Sequence, residues 1–465
     1  MKKIIGILAF SFLIKSLLFW GYLSTDFEVH RNWMAITYNL PLSKWYYEAT
    51  SIWTMDYPPV FAYFEKMLSA IASFFDKKML EISSAGYIST NTIAYQRATV
   101  IFSELILAYS VYIYSKPRTL LSGLILLNPG LIFVDHIHFQ YNGVMIGMLI
   151  LSIYFMNKEK YIESSIIFTI LLLMKHIFLY FAPAYFLFLL KHYCFKPYFQ
   201  PSKIIKLGIS VLATSAVILF PFMQHLPQIL SRLFPFGRGL THAYWAPNIY
   251  SLYNTFDAVL NIIVNKKLKT EYMQGLVQVC NHAVLFNITP MISFILLGIG
   301  LFFVGKYIWK YSGEKDFCIS ACICCLTFFM FGWHVHEKAI LMVSLPIILI
   351  SKDYPKYAFL LNFFGNFSLF PLIFTPLEEP FLLISFLLFT ISFTLLLDIS
   401  ALLRYEKIYL YFSSIIYFIY LFFNKITKND SYIPLLSMSI YCGIGISYIY
   451  FSLLKSLLSQ KNKKD

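Results

Sequence analysis

The chain contains 465 residues, of which 59% are hydrophobic and only 13% are charged, and its mean hydropathy is +0.67. Soluble globular proteins are about 45–50% apolar and about 25% charged, so this composition excludes an ordinary soluble protein and indicates a polytopic membrane protein. The net charge of +14 is expected from basic residues on the inner side of a membrane and contact with anionic lipids; because these residues are scattered, no nucleic-acid partner is expected.

The first predicted element is a transmembrane helix from Ile4 to Leu23. Lys15 interrupts this apolar run and no convincing small-residue cleavage site follows it, so a retained span is predicted in preference to a signal peptide. Lys2 and Lys3 precede the span and place the N-terminus in the cytosol. The polar stretch 24–96 is then expected to form a long lumenal loop.

An amphipathic helix is predicted within this loop. Apolar residues recur at helical spacing, as expected for a helix lying in the membrane surface. They are Val60, Phe61, Phe64, Met67, Leu68, Ile71, Phe74 and Phe75. The sequence Asp56-Tyr57-Pro58-Pro59 marks the start of the helix, because proline fits the first turn, where its missing N–H donor is not needed.

Thirteen further apolar runs follow, and together with the first they predict about 14 transmembrane helices in an all-α fold. They lie at roughly 97–115, 119–134, 143–156, 162–174, 177–190, 207–222, 287–305, 317–331, 339–350, 357–374, 380–399, 408–424 and 432–451. A second long polar stretch, 223–286, is expected to be another lumenal loop with interfacial helices. Residues 357–465 are predicted to hold the last spans and a cytosolic tail, and 1–465 to form a single integral membrane domain.

The distribution of basic residues supports this topology. Most of the lysines and arginines between spans fall in breaks that would lie on the cytosolic side. Both long polar stretches and three shorter turns then face the lumen. In the tail, Lys461 and Lys463 resemble a dilysine retrieval signal for the endoplasmic reticulum, although a solvated basic tail explains them equally well.

Clusters of polar residues adjoin the membrane on the predicted lumenal side, where such residues are costly and often functional. Asp26 directly follows the first span and suits either a general base or a helix cap. Asp56 begins the amphipathic helix. His136 and His138 lie two residues apart, but without a matching partner pair, so contact with a polar ligand or simple loop structure is favoured over a metal site.

Two later clusters contain basic residues suited to anions. The Arg238 guanidinium matches phosphate oxygens, with lipid-headgroup contact as the alternative. His336 and Lys338 suit an anion, although Lys338 also suits snorkelling at a helix end. A zinc-protease motif starting at His336 would need a second histidine where Ile340 stands. A run of four cysteines is interpreted as small buried hydrophobic residues.

These clusters resemble the eukaryotic dolichyl-phosphate-glucose-dependent α1,3-glucosyltransferases of N-glycan precursor assembly. The matching stretches are 24–41, 42–63, 138–143 (HFQYNG), 232–254 and 331–341 (FGWHVHEKAIL). They are scattered over about two thirds of the chain. The resemblance implies the multi-span GT-C glycosyltransferase fold, a lumenal active site and residence in the endoplasmic reticulum membrane.

Two sister enzymes of this family act in sequence, and the chain is more similar to the one that adds the second glucose. The string FEVHRNW at 27–33 carries this distinction, since the first enzyme has an EAQRHW-like string. The resemblance implies inverting transfer of glucose from dolichyl phosphate glucose to the monoglucosylated dolichyl-diphosphate oligosaccharide. The alternatives are the sister enzyme, which adds the first glucose to mannose, and a lipid or sugar transporter, to which Glu104, Lys175 and His176 lend support.

The resemblance assigns the catalytic base to Asp26, with Asp56 as its competitor. The donor phosphate is expected to be bound by Arg238, His336 and Lys338, without a metal or other cofactor. Substrate binding is expected from a further set of lumenal residues: Glu28, Arg31, Asp56, Tyr57, His138, Gln140, His242, Tyr244 and Trp245. Besides the two dolichol-linked substrates, the expected partners are membrane lipids.

Overall fold

The computed structural model describes residues 2–115, 119–234, 237–242, 245–264, 281–372, 375, 377–397, 400, 402–427 and 433–459. Within these ranges the chain is helical and contains no β-strand, which confirms the all-α prediction. The chain divides into two compact units, Met1–Pro235 and Phe236–Asp465. Tyr244 and the basic tail lie outside the described residues.

The first unit contains twelve α-helices in its described part. They are α1 Lys2–Leu17, α2 Thr25–Asn39, α3 Pro59–Ala72, α4 Thr90–Ser103, α5 Leu105–Ser115, α6 Thr119–Leu126, α7 Pro129–Leu131, α8 Asn142–Asn157, α9 Tyr161–Leu172, α10 Ala182–Leu189, α11 Pro201–Leu219 and α12 Leu226–Leu233. A π-helical segment, Ile132–Ile137, continues α7 towards α8.

Helix α3 begins where the proline pair predicts it. Pro58 is its N-cap residue and Pro59 occupies the first helical position. Its buried face includes Phe61 and Leu68, whereas Phe74, just beyond its end, is 87% exposed. Exposed apolar groups of this kind are what a helix lying at a membrane surface presents to lipid.

Helices α5, α8 and α9 pack in sequence and form the centre of this unit. Gly147 permits the close approach of α8 to α5, because a Cβ atom there would lie 2.6 Å from the backbone nitrogen of Leu107. Leu149 and Ile150 on α8 are fully buried. The packing fixes the start of α8, and therefore the position of the polar turn that precedes it.

The second unit contains eight α-helices in its described part. They are α13 Ile249–Ile263, α14 Pro290–Lys310, α15 Phe317–Phe331, α16 Leu341–Ser344, α17 Pro355–Phe367, α18 Glu379–Leu396, α19 Arg404–Thr427 and α20 Ile433–Leu458. Helix α20 packs against α13, α14, α15, α17 and α19. The four cysteines predicted to be buried hydrophobic residues are buried in α15 and form no disulfide within the described residues: Cys318, Cys322, Cys324 and Cys325.

Seven helical stretches in the described ranges are long and apolar enough to cross a membrane. They are Thr90–Ser115, His176–Cys194, Pro201–Leu233, Pro290–Lys310, Glu379–Leu396, Arg404–Phe423 and Pro434–Leu458. Five shorter apolar helices accompany them: Ile4–Leu17, Leu121–Ile137, Asn142–Asn157, Tyr161–Leu172 and Phe317–Phe331. A membrane protein is therefore confirmed, while the total of fourteen spans and their sidedness stay predictions.

The second polar stretch begins with a helix. Helical structure continues from Pro201 to Leu233, so the first residues of the predicted loop are helical. In α12 the apolar residues Leu226, Ile229, Leu230 and Leu233 recur at helical spacing, and two of them, Ile229 and Leu233, are buried. The lumenal position of the loop stays a prediction.

Candidate active site

Asp26 lies in the first turn of α2, directly after the first apolar helix. The Ser24 hydroxyl caps this helix by accepting a hydrogen bond from the Asp26 amide at 3.2 Å, and it also donates to the His138 carbonyl. The dipole of α2 favours an ionised carboxylate in its first turn. The Asp26 side chain is 23% exposed, so a substrate hydroxyl can reach it.

The HFQYNG motif lies against this carboxylate. Phe139 has a positive φ of 69°, which is uncommon for a residue other than glycine and marks a sharp local turn. The turn directs the residues on both sides of Phe139 to Asp26. Gln140 Nε2 donates to Asp26 Oδ2 at 2.6 Å, and His138 Nε2 lies 3.5 Å from the same oxygen. Asp26, His138 and Gln140, each predicted as a site residue, are therefore neighbours.

The end of the motif is held by a buried carboxylate that the predicted site did not include. Asp135 Oδ1 accepts from Asn142 Nδ2 at 2.8 Å, and Asp135 Oδ2 accepts from the Gly143 amide at 2.6 Å. A Cβ atom on Gly143 would lie 2.6 Å from Cγ of Glu104, so only glycine fits this close approach. These contacts fix the turn that presents Gln140.

Tyr57 lies close to the same region. Burial raises the pKa of its phenol well above the usual value, and the carboxylates of Asp56, Asp26, Asp135 and Glu65 add to this rise. All four carboxylates are therefore within electrostatic range of the Tyr57 phenol. Tyr57, predicted as a site residue together with Asp56, thus lies in the same region as Asp26.

Glu28 and Arg31 bind each other and the backbone that follows α3. The fully buried Arg31 guanidinium donates from Nε and Nη2 to the Glu28 carboxylate at 2.8–3.0 Å. Its Nη1 donates to the carbonyls of Met79 at 2.6 Å and Glu81 at 2.9 Å. These hydrogen bonds and the ion pair with Glu28 explain how the charged Arg31 side chain can be buried. A role for either residue in substrate binding stays a prediction.

In the second unit, two of the predicted clusters lie side by side. Backbone bridges pair Thr241 with Val335 and Trp245 with His336. Trp333 Nε1 donates to the Arg238 carbonyl at 3.0 Å. Two segments separated by more than 80 residues therefore form one local surface. Arg238 is exposed on it, Lys338 is half-buried, and Trp245 is buried.

A pair of histidines on this surface shares one buried carboxylate. The ring centroids of His242 and His336 lie 3.9 Å apart. Glu337 Oε2 lies 2.9 Å from His336 Nδ1 and 3.5 Å from His242 Nδ1. Glu337 was not among the predicted site residues. The HVHE string at 334–337 places this carboxylate next to a histidine, which is the only local signal for it.

The protonation of this cluster depends on competing effects. Burial is the largest of the causes that lower the pKa of His336 to about 4; His242 and Lys338 act in the same direction, whereas Glu337 opposes the shift. Burial raises the pKa of Glu337, but His336 and hydrogen bonds from both histidines outweigh it and hold the pKa well below its usual range. In the absence of a bound anion, the stable state at neutral pH is thus an ionised Glu337 beside a neutral His336.

The same three residues offer atoms of the kind that bind metals. One ligand atom each from His242, His336 and Glu337 lies within 4.8 Å of the others. Histidine nitrogen and carboxylate oxygen are common zinc ligands, and catalytic zinc sites often have three protein ligands. The predicted metal-free mechanism is therefore best tested at these three residues.

Comparison with known proteins places this sequence in a family. The model of the ALG6, ALG8 glycosyltransferase family matches residues 11–453. A protein of Bos taurus named dolichyl pyrophosphate Glc1Man9GlcNAc2 alpha-1,3-glucosyltransferase is 42% identical over an alignment that covers 96% of this chain and 94% of the relative.

Two other relatives carry the same name. The protein of Mus musculus is 42% identical and its alignment covers 97% of this chain and 96% of the relative. The protein of Schizosaccharomyces pombe is 42% identical, with 96% of each chain covered. The similarity thus extends well beyond position 341, into the last helices, where the sequence motifs alone gave no match.

Proposed function

The chain belongs to the ALG6, ALG8 glycosyltransferase family, and from this membership we propose that it is the α1,3-glucosyltransferase that adds the second glucose to the N-glycan precursor. Its acceptor is the monoglucosylated dolichyl-diphosphate oligosaccharide, and its donor is dolichyl phosphate glucose. It acts in the endoplasmic reticulum membrane, with a lumenal active site and both termini in the cytosol. Because the family is one of glycosyltransferases, the transporter alternative is no longer supported.

The observation that supports this chemistry best is the position of Asp26, a partly exposed carboxylate held at one oxygen by Gln140. In an inverting transfer, the acceptor hydroxyl oxygen bonds to the anomeric carbon of glucose while the bond from that carbon to the phosphate oxygen breaks. Dolichyl phosphate leaves with the bonding electrons, and the hydroxyl proton passes to Asp26. Such general-base catalysis contributes typically ~100- to 10,000-fold to the rate.

The departing phosphate gains charge, and Arg238, His336 and Lys338 are proposed to stabilise it. Cationic groups aimed at developing charge are among the largest contributors to enzymatic rate. Arg238 is exposed and Lys338 half-buried, so both can approach an anion. A phosphate beside His336 favours the protonated imidazole, which then donates to it. No metal or other cofactor is required by this scheme.

Sugar binding is assigned to aromatic and polar residues around these two groups. Tyr57, His138 and Gln140 lie beside the proposed base in the first unit. His242, Tyr244 and Trp245 are the corresponding candidates in the second unit. Rings of this kind suit stacking against sugar faces, while their polar atoms suit hydroxyl groups.

A transfer assay with two acceptors tests the function directly. Purified full-length protein, given dolichyl phosphate glucose, is expected to glucosylate an acceptor that carries one glucose on its mannose arm and not one that ends in mannose. The product is expected to be α1,3-linked. Transfer to the mannose-terminated acceptor alone would identify the sister activity, and absence of transfer from folded protein to either acceptor would contradict both assignments.

The same assay tests the metal-free scheme. Transfer is expected to persist in excess EDTA, because side-chain cations replace the metal. If EDTA abolishes transfer and added Mn²⁺ or Zn²⁺ restores it, the scheme is wrong, and His242, His336 and Glu337 are the first residues to test as ligands. A His242→Ala variant with weakened metal restoration would locate the ion there.

Replacing Glu337 by Gln tests the charge on His336. Glu337 raises the pKa of His336, so its loss makes the imidazole harder to protonate. We expect the KM for dolichyl phosphate glucose to rise about tenfold at pH 7.5, as for the loss of one hydrogen bond to a charged group. Because the His336 pKa of about 4 lies well below this range, the deficit should stay nearly constant between pH 7.5 and 5.5, while the KM of both proteins falls as the pH is lowered. A KM that does not change with pH in either protein would show that His336 binds the donor as a neutral group.

A further inference from the structure

Lys175 occupies an unusual position, three residues after the end of the apolar helix α9. Its side chain is half-buried, and its ammonium lies 4.9 Å from the centre of the Tyr57 ring. Lys175 Nζ donates to Asn142 Oδ1 at 3.2 Å. A cation at the end of an apolar helix is costly unless it interacts with other groups, and the proposed reaction has not so far used it.

The amide of Asn142 lies between this cation and a buried carboxylate. An ammonium can only donate hydrogen bonds and an ionised carboxylate can only accept them. Lys175 therefore requires the amide oxygen on its side, while Asp135 Oδ1, 2.8 Å from Asn142 Nδ2, requires the amide nitrogen on the other. The orientation of the Asn142 amide is thus set by charges at both ends.

This orientation determines the orientation of the next amide. Asn142 Nδ2 also donates to Gln140 Oε1 at 2.9 Å, which leaves Gln140 Nε2 to donate to Asp26 Oδ2 at 2.6 Å. Each N–H in the series from Lys175 through Asn142 and Gln140 points towards Asp26. Hydrogen bonds arranged head to tail in a region of low dielectric constant polarise and strengthen one another.

We propose that Lys175 is a positioning residue for glucosyl transfer, which acts through the Asn142 and Gln140 amides to orient and polarise the hydrogen bond on Asp26. The inference rests on the proposed function, because it takes Asp26 as the base. Lys175 itself touches neither substrate nor reacting atoms in this scheme. Its positive charge reaches the Asp26 carboxylate through the two amides.

Other ionisable groups also face Asp26 and must be distinguished from Lys175. His138 lies on the turn before α8, and its Nε2 atom is 3.5 Å from Asp26 Oδ2. The carboxylate acts electrostatically on Tyr22, at the end of the first apolar run, and on Tyr57, before α3. Asp56 acts on the same Tyr57 ring. Replacing Lys175 leaves all of these groups in place, so a change in the behaviour of Asp26 reports the loss of the Lys175 charge, and the double-mutant cycle below distinguishes transmission through the amides from direct action of that charge.

The test compares Lys175→Met with Lys66→Met. Lys66 is a matched control, because it is also half-buried, its ammonium lies 5.5 Å from the Tyr38 ring centre, and it also donates to a neutral oxygen. We expect Lys175→Met to lower kcat about tenfold, with little change in the KM for the donor or for the acceptor. This is the size expected when the loss of a hydrogen bond from a charged group is transmitted through the two amides. The acidic limb of its pH profile should move to higher pH, and Lys175→Arg should recover most of the activity.

A kinetic double-mutant cycle tests the route. If Lys175 acts through Asn142, the variant Lys175→Met/Asn142→Leu should be no slower than Asn142→Leu alone. Independent effects that multiply would overturn the proposal. A rise in the KM for dolichyl phosphate glucose with unchanged kcat and pH profile would also overturn it, because Lys175 would then bind the donor directly.

A second measurement does not depend on transfer activity. Water-soluble carbodiimide labels protonated carboxyl groups, so labelling of Asp26 followed by mass spectrometry over a pH series reports its protonation. The labelling midpoint is expected at higher pH in Lys175→Met than in wild type or Lys66→Met. Equal midpoints would refute the coupling even if transfer is seen. A shifted midpoint in protein without transfer to either acceptor would instead refute the proposed function and leave the coupling standing.

Discussion

Replacing Asp26 by Asn is expected to lower kcat for glucosyl transfer by about 100- to 10,000-fold, with normal expression and thermal stability. The amide keeps the shape of the carboxylate but cannot accept the acceptor's proton. Asp26 is 23% exposed and the asparagine oxygen can still accept from Gln140, so the fold should tolerate the substitution. Initial rates with saturating donor and monoglucosylated acceptor measure the effect.

Asp56→Asn is the matched comparison. Asp56 is another half-buried lumenal-side carboxylate, and both it and Asp26 raise the pKa of Tyr57. A variant of Asp56 should retain most of the turnover, with any change falling on KM. The opposite pattern, an active Asp26→Asn and an inactive Asp56→Asn, would transfer the role of base to Asp56.

Local signals in the sequence predicted local structure well. The start of α3 at Pro59 follows from a rule about two adjacent prolines, which involves only the residues of one helical turn. The all-α character follows from apolar runs whose composition is readable without knowing what they pack against. Predictions of this kind need no information about distant parts of the chain.

The arrangement around Asp26 depends on contacts that no local signal reveals. Gln140 lies 114 residues away in sequence, and it reaches the carboxylate only because Phe139 adopts a positive φ. The motif resemblance identified both residues without indicating that they touch. Asn142 lay within the quoted motif, but its place between Lys175 and Gln140 follows from packing of α8 against α9.

The second unit shows the same limit. The strings around Arg238 and His336 were each identified as anion-binding candidates, but their pairing through Thr241 and Val335 is tertiary structure. Glu337 was missed because its importance lies in orienting two histidines, one of them nearly 100 residues earlier. A carboxylate next to a candidate histidine commonly orients the imidazole by hydrogen bonding.

A buried group of charges behind the HFQYNG motif leads to a further prediction. Lys15 and Glu104 form an ion pair in which the side chains are only 2% and 6% exposed. Glu104 also lies 2.9 Å from Nε2 of His136, two residues before the motif, and lies against Gly143, the last residue of the motif. Arg97 donates to the His136 carbonyl and, at 3.1 Å, to that of Ile137. The turn that carries His138 and Gln140 is therefore supported by charges within apolar helices.

Lys15→Met is expected to destabilise the first unit by about 3–5 kcal/mol, because it leaves Glu104 buried without its cation. Thermal unfolding in detergent, followed by tryptophan fluorescence, measures the loss. The double variant Lys15→Met/Glu104→Gln should recover much of the stability, since neither residue then carries an unpaired charge. If the double variant is as unstable as the sum of its single variants, the pair does not interact as the structure indicates. If stability recovers while transfer remains impaired, the ion pair contributes to the geometry of Gln140 on Asp26 as well as to folding.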